Sequence, residues 1–332
     1  MKSFVERVKN VFWPAPEPVT DTCTEIKIYE AGDGKDGALY YRIPEYGDQV
    51  GFFCEVIFTL LRMKFADERG FIPYIDWKKG HLYYEEGGMR GVENVYDYYF
   101  KQPSGATSLE SLRFVTDATD EQMHMLQHRY DHHGYHYTDE YIDVLADMAA
   151  KYLVFNEETE GYLKDAVSKT IAGKKTLGVH FRGTDYRRSY NNHPVFVTVE
   201  DEIEKIKAIA SSGGYERIFL ATDEAAAIEK FREVFGDKLV YYEDVYRAGE
   251  GDDESVAYSK SSRENHHYLL GLEALRDQYT LSACDGMVCG LSNLSITARL
   301  FKRGIFKEEY KDLVILDKGT NQNNKAFCDA SH

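Results

Sequence analysis

"GVHFRGTDYRR", Gly178 to Arg188, begins as a strand and ends in charge. Extended by the preceding "KTL", it is a short apolar run that stops at His180, Arg182 and Asp185 around Gly183. A turn alone needs the glycine and at most the aspartate. An arginine at a buried strand end is costly without a partner, so His180 and Arg182 together suggest a ligand.

Outward from this stretch the pattern is regular. "TVEDEIEKIKAIASSGG" from Thr198 reads as a helix, opened by a Thr198–Asp201 capping box and stopped at Gly213–Gly214. "ERIFLAT" is a strand, and Asp223 is placed to cap the helix "EAAAIEKFREVFG". "LVYYED" reads as a strand, and a long helix follows over about Arg263–Ala283. "GMVCG" is a strand, Ser292 caps an amphipathic helix, and "LVILD" is the last strand. Strand and helix alternate, as in a doubly wound parallel sheet. Upstream, Phe52–Arg69 has helical spacing, with Val56, Leu60 and Met63 on one face, and "FIPYID" reads as a strand. Residues 80–137 are tyrosine-rich and show no clear period. The expected architecture is α/β, with an N-terminal domain over 1–160 and a C-terminal domain over 161–332.

Ligands in such sheets bind where strands end and helices begin. Three strand ends here are polar: HFRGTD, TDE after FLA, and GLSN after MVC. A helix N-terminus at Ser292–Asn293 offers free N–H groups, and Arg182 offers a two-pronged contact to phosphate oxygens. The bland alternatives are helix caps at Ser292 and Asp223 and a turn residue at Asp185.

Composition narrows the partners. The 332 residues carry a formal net charge of −16, which disfavours nucleic acid, so any phosphate group must meet a local basic cluster. The apolar run Val50–Phe65 contains Glu55, Arg62 and Lys64 and is too short to span a bilayer. "MKSFVERVKNVFWPAPEP" lacks the apolar stretch of a secretory signal. The five cysteines, Cys23, Cys54, Cys284, Cys289 and Cys328, form no CxxC pair. A reduced, cytoplasmic chain is the expectation. His124 and His128 share a helical face, but no HExxH motif accompanies them, and no metal is expected.

Residues 176–301 resemble the GDP-fucose-dependent fucosyltransferases of the alpha-1,6 and nodulation type, with protein O-fucosyltransferases as more distant relatives. The resemblance is carried by His180-Phe181-Arg182, by Ala221-Thr222-Asp223, and by LSACDGMVCGLSN ending at Ser292-Asn293, in that order. The first half matches mainly in GDQVGFF. The resemblance implies a GT-B fold, two Rossmann-like domains facing a cleft. It implies GDP-fucose as donor substrate, a glycan acceptor, inversion, and no metal or other cofactor. Arg182 would grip the β-phosphate, and His180 and Asp277 would contact guanine or its surroundings. Asp223 would border the nucleoside, Ser292 and Asn293 would donate to the diphosphate, and Gly51 would let the first-domain loop approach. Gly183 stands where the alpha-1,6 type has a second arginine. That type's proposed basic glutamate has no counterpart in RRSYNNHP, leaving Asp185, Asp48 and Glu55 as candidate bases, with Asp185 taken as the catalytic one. Surface-polysaccharide assembly is the expected setting. The alternatives are a GT-B transferase using another nucleotide sugar and a catalytically inactive protein that binds one.

Overall fold

The structure is a computed structural model and describes residues 26–47, 50–130, 135–249 and 251–325. Two sheets organise it. In the second half, β5 (Thr176–Phe181), β6 (Arg217–Thr222), β7 (Leu239–Val240), β8 (Gly286–Gly290) and β9 (Leu313–Leu316) form an all-parallel sheet in the order β7-β6-β5-β8-β9. The order reverses between β5 and β8, which is where such sheets open a crevice. β5 is buried along its whole length, as a central parallel strand must be. Register sets His180 beside Ala221 on one side and Cys289 on the other, so the three polar strand ends finish level.

The first half holds β1 (Tyr29–Glu30), β2 (Leu39–Pro44), β3 (Ile72–Asp76) and β4 (Phe114–Asp117), in the order β1-β4-β2-β3. β4, β2 and β3 are parallel, and β1 is an antiparallel edge. Helix α1 (Phe52–Arg69) ends at Gly70, whose φ of 70° is the left-handed C-cap geometry that suits glycine. Val56, Leu60 and Met63 are buried as their spacing requires. The tyrosine-rich stretch contains two 3-10 turns, Val95–Tyr98 and Leu109–Ser111, then β4 and α2 (Asp120–Arg129). His124 and His128 stand exposed on α2. The helical connection is two helices, α3 (Asp139–Tyr152) and α4 (Glu157–Thr170), with Asn156 capping the second.

The second-half helices follow the expected order. α5 (Val199–Gly213) opens with the Thr198–Asp201 capping box and ends at Gly214 in the left-handed region. α6 (Ala225–Phe235), α7 (His266–Ala283) and α8 (Asn293–Gly304) follow. Two expectations change. The strand at LVYYED is only Leu239–Val240. Asp223 does not cap α6: Glu224 holds the N-cap position without a side-chain bond, because Asp223 is drawn to the 182–184 loop.

The two halves share a core. Leu275 and Tyr279 of α7 and Ile296, Leu300 and Phe301 of α8 pack in one cluster with Leu60 of α1 and Leu145 of α3. Helix α7 is buried nearly all round, as a helix between two layers must be. Close approach needs small residues: a Cβ on Gly304 would lie 2.2 Å from the Ala146 carbonyl oxygen, which is backbone and cannot rotate away. Gly304→Ala should therefore separate α8 from α3 and cost about 1–3 kcal/mol of stability in chemical denaturation. An unchanged midpoint would show that the two helices are not in contact there.

Candidate functional site

A cavity of about 530 Å³ opens at the switch point, within the usual size range of small-molecule sites. Its wall combines the α1 start, the ends of β5, β6 and β8, and one face of α7. The α7 contribution is Leu270, Glu273, Ala274 and Asp277, a helical stripe. Gly51, His180, Arg182, Asp185, Asp223, Asp277, Ser292 and Asn293 all line this one cavity. Gly183 does not. Its N–H donates to Asp223 at 2.9 Å, and a Cβ there would run into Glu224, so this glycine serves the turn behind the wall.

One end of the cavity is built on α8. Ser292 caps the helix by accepting from the Ser295 N–H at 3.1 Å. No acidic residue lies in the first turn. The N–H groups of Asn293 and Leu294 have no intrahelical acceptor by helix geometry and sit on the cavity wall. His180 fixes this terminus: its Nδ1 lies 2.8 Å from Ser295 Oγ and 3.1 Å from Ser292 Oγ. Burial, then the nearby Arg182 charge, push the imidazole down to about 3, so His180 is neutral at physiological pH. It acts through its contacts with the two serine hydroxyls and its position, not through charge.

Arg182 is held on three sides. It donates to Asp185 Oδ1 at 2.6 Å and Ser255 Oγ at 3.1 Å, and pairs with Asp223 Oδ2 at 2.8 Å. The Thr184 hydroxyl lies within hydrogen-bond distance of both carboxylates, at 2.9 and 2.5 Å, and its single proton serves one of them at a time. Asp185 Oδ1 therefore meets both the guanidinium and the Thr184 hydroxyl. Its visible work is to aim Arg182. Arginine has five N–H donors, so two remain outside these three contacts. Arg187 pairs with Glu224 and Arg188 with Asp253.

Asp277 is different. It is 5% exposed, and its Oδ1 is buried with no hydrogen-bond partner. The neighbouring cations are committed elsewhere: Arg276 grips Asp244 with two bonds, at 3.0 and 2.6 Å, and Arg247 donates to the Thr222, Val245 and Tyr242 carbonyls. Burial outweighs both positive charges and lifts the Asp277 carboxyl to about 7. A desolvated, open carboxylate oxygen on a cavity wall is a waiting acceptor.

Of the other candidate bases, Glu55 is fully buried and accepts from the Tyr46 N–H at 2.7 Å, and burial pushes it up to about 8. It does not line the cavity, although Cys54 does. Asp48 lies outside the described residues. Sequence reasoning passed over His193, Tyr135 and Tyr186, which line the same cavity. Tyrosine spacing carries no signal for a wall assembled from three distant segments. Among the described residues no helix is long and apolar enough to cross a membrane.

Solved structures with similar architecture include an alpha-1,6-fucosyltransferase, NodZ, soaked with GDP-fucose. It is 16% identical, with 79% of this chain and 91% of that chain covered and a TM-score of 0.44. NodZ from Bradyrhizobium is 15% identical over 75% and 87% of the two chains, at 0.41. POFUT1 in complex with GDP-fucose is 11% identical over 86% and 99%, at 0.48. No protein-family model and no curated protein matches the chain.

Asp277 links the site to stability. In the unfolded chain it ionises near its ordinary value of 3.8; in the folded chain it keeps its proton up to about 7. Between these values the folded state binds a proton that the unfolded state has released. Its contribution to stability is therefore complete below 3.8 and is lost as pH rises through 7. Asp277→Asn should stabilise the ligand-free protein at pH 8 by about 1–3 kcal/mol and change little near pH 4, read by chemical denaturation at both pH values. Equal effects at the two pH values would contradict the burial of this charge.

Proposed function

We propose that the chain is a glycosyltransferase that moves fucose from GDP-fucose to a glycan acceptor, with inversion and without metal. In this reading residues 161–332 hold the donor and residues 1–160 face the acceptor. The observation that carries it is the pairing, in one cavity, of the open α8 N-terminus with the unsatisfied Asp277 carboxylate. The first suits a diphosphate. The second suits guanine, which offers N1–H and an exocyclic amine side by side. Adenine offers neither at that edge, and its N1 would repel a carboxylate.

The mechanism follows from these placements. Guanine sets the nucleoside against α7, and the diphosphate lies across the Asn293 and Leu294 N–H groups. As the bond from the sugar carbon to the phosphate oxygen breaks, negative charge grows on the leaving group. Fixed N–H dipoles and Arg182, already aimed by Asp185 and Asp223, stabilise that charge without reorganising. The acceptor hydroxyl attacks from the opposite face, which inverts the carbon. Gly51 supports the fit: a Cβ there meets nothing within 4 Å, so its missing side chain leaves room in the cavity.

Calorimetry tests the nucleotide. The wild type should bind GDP roughly 100-fold or more tighter than ADP, because unpaired polar groups in a closed site cost about 1–3 kcal/mol each. Asp277→Ala should remove that preference. A mutant that still prefers GDP as strongly would show that the guanine is read elsewhere.

Kinetics test the arginine. Arg182→Lys keeps the charge and loses the planar fork. It should lower kcat for GDP release from GDP-fucose roughly 100-fold, with little change in donor affinity, the scale of one lost oxyanion donor. Wild-type turnover should persist in excess EDTA. Near-normal kcat in the lysine variant, or EDTA inactivation reversed by manganese, would contradict this leaving-group chemistry.

A further inference from the structure

Arg182 and the first N–H groups of α8, the proposed leaving-group contacts, all belong to the second half of the chain. The first half brings a hydroxyl to the same cavity. Tyr83 lines the wall and is only 4% exposed. Its ring and its oxygen are both fixed. The ring stands edge-on to Phe52, with centroids 5.2 Å apart and planes at 81°, and 5.6 Å from the ring of His81. Helix α7 lies against it: a Cβ on Gly271 would come within 3.2 Å of Tyr83 Cδ1. At the far end of the ring the hydroxyl accepts the N–H of Phe52, the first residue of α1, at 3.0 Å. Two helices, one from each half, therefore seat this tyrosine.

A phenol accepts through its lone pairs and donates one proton. The Phe52 N–H takes a lone pair of Tyr83, so the proton turns to another partner, and among the described residues no group accepts it. Tyr186 on the same wall differs, since its hydroxyl donates to the Leu291 carbonyl at 3.1 Å. Burial, opposed by the Phe52 N–H and the Arg182 charge, pushes the Tyr83 hydroxyl up to about 12. It is therefore protonated at pH 7, a donor and not a base. Accepting an N–H polarises the hydroxyl and strengthens it as a donor. Tyr83 and Arg182 also act on each other electrostatically, which places the spare proton in the field of the guanidinium. A buried donor without an acceptor, close to a cation and facing a cavity, suits an anionic ligand.

We propose that the Tyr83 hydroxyl donates to the β-phosphate of the bound nucleotide, so that the first half of the chain helps to stabilise the leaving group. The inference rests on the fucosyl-transfer reading above. No proton changes hands. The bond from the sugar carbon to the phosphate oxygen breaks, and its electron pair leaves on the diphosphate. The hydrogen bond from Tyr83 strengthens as that charge grows. Phe52 and α7 hold the hydroxyl in place beforehand, so the donor does not have to reorganise during the reaction.

Two nucleotides separate a phosphate contact from a structural role, because GMP keeps the guanine and lacks the β-phosphate. Tyr83→Phe keeps the ring and removes only the hydroxyl. By calorimetry the variant should bind GDP about tenfold more weakly than wild type and GMP within about twofold of it. GDP release from GDP-fucose should slow roughly 100-fold, the scale of one lost oxyanion donor. Equal losses for GDP and GMP would show that the hydroxyl only supports the start of α1. Unchanged GDP affinity, or near-normal turnover, would show that its proton does not meet the diphosphate. Any of these results would overturn the proposal. A wild type that binds GDP with this Tyr83-dependent advantage over GMP, yet releases none from GDP-fucose, would uphold the contact and overturn the fucosyl-transfer reading instead.

Discussion

Everything at the site depends on where the N-terminus of α8 points. That direction is set by a four-atom cluster: His180 Nδ1, the Ser292 and Ser295 hydroxyls, and the Ser295 N–H. It joins the end of β5 to the start of α8 across the reversal of strand order. A helix terminus facing a cavity carries a partial positive charge, and its first N–H groups need partners. The side-chain cap takes one, and the cavity keeps two for a ligand. Because His180 is neutral, the cluster adds no charge of its own and leaves the dipole unopposed.

The wall is otherwise acidic, with one arginine among four carboxylates. That balance looks wrong for a diphosphate until the partners are counted. Asp185 and Asp223 are bound to Arg182 and Thr184, and Glu273 is bound to Arg263. Their charge is used to aim cations rather than to meet a ligand. Asp277 alone is left with an unsatisfied oxygen, and the fold tolerates this at a cost in stability. Buried groups of this kind are unusual in stable cores and common where a ligand completes the set.

Much of the second half was legible because its signals are local. A capping box, a terminal glycine and a strand that ends in charge can each be read from a few residues, and α5, β5, β6, β8 and α8 lie where those signals put them. What failed were side chains with a choice of partner. Asp223 suits a helix cap in sequence, but Gly183 and Thr184 reach it first. The bond from the Asn321 side chain to the His193 carbonyl spans 128 residues, and no local pattern records it. In the first half, β2, β4 and the 3-10 turns are stabilised by tyrosine packing between layers, which has no period to detect.

The central claim is that one cavity presents a guanine-reading carboxylate on α7 and a diphosphate cradle at α8. A crystal structure of the protein with GDP tests it most directly. The account predicts guanine N1–H and its amine within about 3 Å of the Asp277 carboxylate, and diphosphate oxygens at the same range from the Asn293 and Leu294 N–H groups. A nucleotide bound with its base turned away from α7, or with its phosphates away from α8, would contradict it.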